Sequence, residues 1–170
     1  MTREAESTAG DHHGAARIPP RWFVRTAWVV HRALFRLSGR RFGLRPPAPR
    51  RYGMMALHTT GRRTGERRTA IVAYIEDGEN IVTMAMNGWG DPPPAWWLNL
   101  QANPAASVEL PGDRRARPVT ARDALGAEHD RLWEAFREVE DDGTDLDALA
   151  RLRSRPTPLV VLEHRESAPH

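Results

Sequence analysis

The sequence predicts a mostly β domain with flanking helices, an α+β chain whose short strands close or half-close an antiparallel barrel. Three observations carry that expectation. Apolar runs of strand length are bounded by Gly and Arg clusters, their connections read as hairpins, and strands do not alternate with helices as a Rossmann sheet requires. At 170 residues the chain suits one domain with one sizeable core.

The first strands are Met54–Thr60 and Thr69–Glu76, joined through Gly61-Arg62-Arg63-Thr64-Gly65. Asp77-Gly78-Glu79-Asn80 then signals a hairpin into Ile81–Met84. Asn87 to Pro94 is a loop on composition, and a short helix follows from about Pro94 to Ala102. Proline suits a first helical turn, and the residue before Pro104 is biased out of helix. Ala106–Leu110 and Arg114–Asp123 form a second hairpin across Pro111-Gly112-Asp113. Gly126–Val139 is amphipathic, with Leu132, Trp133, Phe136 and Val139 predicted inward. Acidic Glu140–Asp147 reads as a loop, and Thr157–Glu163, around Leu159-Val160-Val161-Leu162, as a last buried strand.

Ahead of the barrel the organisation differs. Residues 1–19 are polar and aperiodic and are expected to form a disordered arm. Residues 20–42 read as an amphipathic helix, with Phe23, Ala27, Val30, Leu34 and Leu37 on one face and Arg21, Arg25, Arg32 and Arg36 opposite. That basic face fits either a helix packed on the domain with solvated arginines or peripheral contact with a membrane surface. Gly43–Arg51, with three prolines, reads as a linker. The barrel is expected over 50–164, with a tail at 165–170.

Composition removes several chemistries. There is no cysteine, so disulfides, thiolate metal sites and Cys nucleophiles are excluded. No signal-peptide core or membrane-length apolar run is present, which fits a cytoplasmic location, with membrane association only through the N-terminal helix. All 25 positive side chains are Arg against 22 acids, a net charge of +3. Arginine grips phosphates and carboxylates in pairs, whereas the near-balanced total and the lack of a nucleic-acid motif argue against a nucleic-acid partner.

Two constellations could carry chemistry. Thr60-Gly61-Arg62-Arg63-Thr64-Gly65-Glu66-Arg67-Arg68 places four Arg and two Gly in one inter-strand turn. Glycines expose backbone N–H groups and guanidiniums supply charge, which together suit a phosphate; a solvated hairpin tip has the same composition. The second is Ala85-Met86-Asn87-Gly88 at a strand end, followed by Ala95-Trp96-Trp97-Leu98-Asn99-Leu100. Trp96 and Asn99 share a helix face, a flat wall beside an amide that suits a heteroaromatic ring. The plainer alternative makes Trp97 and Leu100 core with Trp96 capping it.

Together the TTGRxxG turn from Thr59 and the WxxNLxANP helix from Trp96 to Pro104 resemble the deazaflavin-dependent nitroreductase and quinone reductase family over roughly residues 50 to 163. The resemblance implies a split β-barrel, like those of FMN-binding oxidases, and reduced coenzyme F420 as hydride donor to an electron-poor small molecule, a quinone, enone or nitroarene. By position, Thr60, Gly61, Arg62, Arg63, Thr64, Gly65 and Arg68 match the turn that grips the cofactor's phosphate and acidic tail. Ala85, Met86, Asn87 and Gly88 match the strand end beside the ring, and Trp96, Trp97 and Asn99 the helix closing over it. Members that reduce nitroimidazoles carry a small hydroxyl and a Lys where Met86 and Asn87 stand, and late tyrosines where Asp141 to Asp147 has none, so that substrate is not carried over. No catalytic side chain is implied, since the cofactor supplies the hydride; Tyr74 and His58 are the nearest proton donors in sequence, and each also reads as a buried, satisfied side chain. By analogy such barrels pair, so a homodimer is expected. Competing assignments are an FMN or haem protein on the same barrel, a family member that holds cofactor or lipid without turnover, and a basic surface module.

Overall fold

The computed structural model describes residues 43–87, 92–139 and 145–165. In chain order these hold β1 (Gly53–Thr60), β2 (Arg67–Asp77), β3 (Asn80–Met84), α1 (Ala95–Ala102), β4 (Ala105–Glu109), β5 (Arg117–Asp123), α2 (Ala127–Val139), α3 (Leu146–Arg151) and β6 (Leu159–His164). The strands close a barrel in the order β1-β2-β3-β6-β5-β4, every pair antiparallel. The expected closed antiparallel barrel is therefore the fold, and helices lie outside its wall or across one end.

Alternation along each strand sorts the core. Met55, Leu57, Val72, Tyr74, Val108, Val119, Val160 and Leu162 fill the barrel. Ile75, Val82, Met84, Leu159 and Val161 face outward on β2, β3 and β6, where Leu132 and Phe136 of α2 and Leu146 of α3 cover them. Strand β6 is thus buried on both faces, which is why its sequence is an unbroken apolar run rather than an alternating one. At the β2–β3 turn Gly78 has φ 60, the first central position that a type II′ hairpin reserves for glycine.

Two sequence expectations change. The proline-rich run before β1 is folded rather than a free linker: Ala48 and Arg51 exchange backbone hydrogen bonds at 3.0 Å, and Arg45 pairs with Met54. The acidic segment ending at Asp147 is not all loop, because Asp145 caps α3 by accepting from the Ala148 N–H at 2.9 Å. Burial of Leu146 against α2 supplies the tertiary contact that a helix of six residues needs. The arm at 1–19 and the helix expected over 20–42 lie outside the described residues.

Candidate functional site

The strand registers bring the two sequence constellations to one end of the barrel. Thr60 pairs with Arg67 and Met84 with Leu159, so the β1–β2 turn and the end of β3 emerge from the same rim. Helix α1 crosses that rim, with Trp96, Trp97 and Leu100 sunk into the barrel core beside Ala85.

The turn is held by its own backbone. Gly61 N–H donates to the Glu66 carbonyl at 2.8 Å, and the Gly65 and Thr64 N–H groups both donate to the Gly61 carbonyl, at 2.8 and 3.2 Å. A Cβ on Gly61 would lie 3.1 Å from Thr64 Oγ1 and 3.2 Å from the Glu66 carbonyl, so a side chain there would spread the turn. Gly65, at φ 69, needs glycine for backbone reasons instead.

Asn99 ties the turn to α1. Its Oδ1 accepts from the Arg62 N–H at 3.1 Å and its Nδ2 donates to Thr59 Oγ1 at 3.1 Å, the second bond fully buried and the first partly so. The amide expected to face a ring is therefore used by the protein at both ends. Sequence reading missed Thr59, although Met55, Leu57 and Thr59 share one strand face and that alternation points the hydroxyl to the barrel end.

Arginines of the turn divide into two kinds. Arg68 donates to Glu66 Oε2 at 2.6 Å and to Thr64 Oγ1 at 3.4 Å, and Arg67 reaches Glu109 at 3.8 Å. Arg62 and Arg63 are exposed, and their guanidiniums meet no described partner. The Arg63 N–H likewise has no acceptor among the described residues. Two unpaired guanidiniums and a free N–H at a glycine turn are a donor set for an anionic group, so the residues present fit the phosphate and acidic tail expected from sequence. Thr60 is exposed at the last position of β1, above that turn.

At the second constellation Ala85 is fully buried and its N–H donates to the Pro158 carbonyl at 2.8 Å, Met86 is half-buried against the α2 cluster, and Asn87 is exposed. Gly88 lies outside the described residues. Trp96 and Trp97 are 8% and 7% exposed, so the pair forms the floor of the rim rather than an open lid.

Neither weighed proton donor stands at this rim. Tyr74 pairs with Gly53 at the opposite end of the barrel, packed so tightly that a Cβ on Gly53 would strike its ring, and burial pushes its hydroxyl up to about 12. His58 is buried on the outer wall, with Nδ1 at 2.9 Å from Thr69 Oγ1 and Nε2 at 3.0 Å from Glu109 Oε1. Among the described residues no His, Asp or Glu cluster could hold a metal, and no helix is long and apolar enough to cross a membrane.

A closed six-stranded barrel with an arginine-glycine turn and a tryptophan helix at one rim belongs to the split β-barrel class of proteins. Within it, the profile of the F420H(2)-dependent quinone reductase family matches residues 31–164, and the chain belongs to that family. An F420H(2)-dependent quinone reductase of Mycobacterium tuberculosis is 35% identical over 155 residues, covering 85% of this chain and 97% of that protein. The structure of an F420-H2 dependent reductase superposes with a TM-score of 0.56 at 24% identity, covering 65% of this chain and 93% of that one. A domain-swapped dimer superposes with a TM-score of 0.58 at 24% identity, covering 82% and 99%. The chain is accordingly an oxidoreductase whose cofactor is coenzyme F420, as the sequence resemblance implied.

Proposed function

We propose that this chain reduces quinone-type acceptors, with the cofactor's anionic portion on the Gly61–Glu66 turn and its ring against Ala85, Met86, Asn87 and Gly88, above the floor that α1 forms. One observation carries the reading: Asn99 bonds directly to the backbone of Arg62, so the helix that floors the rim and the turn with unpaired arginines form one unit. When bound, reduced F420 supplies a hydride. The protein's share is positional. Arg62 and Arg63 hold the anionic tail, with Thr60, Gly61, Thr64 and Gly65 shaping the turn, while Arg68 holds Thr64 and Glu66 in place. Trp96 and Trp97 back the strand end and exclude water from below. Met86 and Asn87 lie where an acceptor would meet the ring, and their apolar and amide character suits a neutral quinone. A pair of chains, each using its own rim, is the expected assembly.

Titration with F420 and with FMN tests the cofactor half, and oxidation of F420H2 by menadione the acceptor half. We expect micromolar F420 binding, far weaker FMN binding, and turnover with menadione exceeding that with a nitroimidazole. Tight FMN binding without F420 binding would overturn the assignment.

A further inference from the structure

We infer that the groove between α2, α3 and the segment 152–157 is a second binding site, for a small molecule that carries a phosphate or carboxylate next to an aromatic or apolar body. The groove measures about 640 Å³ and shares no lining residue with the Gly61–Glu66 turn. That volume falls in the range of small-molecule sites, roughly 300–1,000 Å³.

Its lining combines an aromatic pair with three cations. His129 and Trp133 present parallel rings, 10° apart in plane with centroids 6.1 Å apart. Arg151, Arg153 and Arg155, at alternate positions in the chain, also line it. Arg153 is nearly buried, with Nη1 donating to Thr157 Oγ1 at 2.7 Å. Arg155 has no partner among the described residues, and Arg151 reaches Asp145 only at 3.9 Å.

Acids also line the groove, and they decide whether it welcomes an anion. Glu134 is held by Arg137 at 2.7 and 2.9 Å, a residue outside the lining. Asp147 accepts from Trp133 Nε1 at 2.7 Å and lies 3.6 Å from Arg137 Nε. Asp130 is 85% exposed and lies 3.6 Å from His129 Nδ1. Two of the three acids are thus committed elsewhere and the third faces solvent, whereas Arg155 and Arg151 have charge to spare. Guanidiniums of that kind favour bidentate oxyanions, and the ring wall favours a flat body over a bare ion.

Calorimetric titration with 1-naphthyl phosphate tests the site, using the full chain carrying Arg62→Ala and Arg63→Ala so that the turn holds no anion. Saturable one-to-one binding is expected, with inorganic phosphate at least tenfold weaker. Adding Arg151→Ala and Arg155→Ala, both exposed and so harmless to folding, should weaken it by about tenfold or more, the scale of one lost charge-assisted hydrogen bond. Circular dichroism confirms that each variant folds. Absence of saturable binding, or binding indifferent to Arg151 and Arg155, overturns the inference. So does retention on phosphatidylglycerol vesicles that is lost on Arg151→Ala and Arg155→Ala while naphthyl phosphate fails to compete it away. Because the turn is silenced throughout, the result does not depend on F420 binding.

Discussion

The same side chain does opposite work at two places on this barrel. Along the wall of β5 and α2, arginines are consumed by the protein: Arg122 donates to Glu163 at 2.6 Å and to both Glu128 oxygens at 2.6 and 2.8 Å, and Arg131 forks onto Asp77 at 2.7 and 2.9 Å. At the β1–β2 turn, Arg62 and Arg63 have no such partners among the described residues. The difference is in the carboxylates supplied, since guanidinium chemistry is constant. Where the fold provides an acid, arginine staples strand to helix; where it does not, the charge is left for an anion from outside.

The largest effect should come from emptying the unpaired turn. Changing Arg62 and Arg63 together to Ala removes two charge-assisted contacts, each worth about 1.5 kcal/mol or more, so F420 affinity should fall by roughly a hundredfold. Thermal stability should barely move, because exposed unpaired charges contribute little to it. Fluorescence titration and a melting scan read the two quantities. Unchanged affinity would place the anion elsewhere, and a large drop in melting temperature would mean these arginines are structural after all.

The next effect tests the link between the regions. Asn99→Ala leaves the Thr59 hydroxyl and the Arg62 N–H without their buried partner, a loss of about 1–3 kcal/mol in stability. Chemical denaturation should show that loss, and F420 affinity should weaken because the turn is no longer pinned to α1. A stability loss with unchanged affinity would separate the helix from the turn and weaken the single-unit reading.

How much of this was legible beforehand follows the range of the interactions. Strands β1 to β3 were readable because alternation and the Asp77–Asn80 turn are local, and β6 because burial on both faces writes an unbroken apolar run. Helix α3 was hidden because six residues give no periodicity and its stability comes from Leu146 against α2. The hairpin before β1 was hidden by its prolines and by Arg50, whose φ of 58 is a conformation no arginine advertises. At the rim, the family resemblance carried by the two motifs together implied the cofactor, yet the side-chain partners did not follow from it. That Asn99 would bond across 37 and 40 positions to Arg62 and Thr59, and that Glu66 would take Arg68 while leaving Arg62 and Arg63 unpaired, depends on the closed barrel.

The smallest effect belongs to the paired side. Arg122→Ala leaves Glu128 and Glu163 without their shared partner, yet the Arg122 side chain is 40% exposed, so screening should hold the cost near or below about 1 kcal/mol at neutral pH. Its pH dependence has a definite sign. The hydrogen bond from Arg122, with burial opposing it, holds Glu128 below its ordinary carboxylate value. A depressed carboxyl contributes stability above its unfolded pKa, near 4.3 for Glu, and loses it as pH falls through the folded value. The gap between wild type and Arg122→Ala should therefore be widest at neutral pH and close through the acid range, and added salt should narrow it at any pH. Denaturation midpoints at pH 7 and at progressively lower pH measure it. A gap that stayed constant on acidification and in salt would show that Arg122 acts through its aliphatic stem rather than its charge, and the contrast with the turn would then be one of contact area, not of pairing.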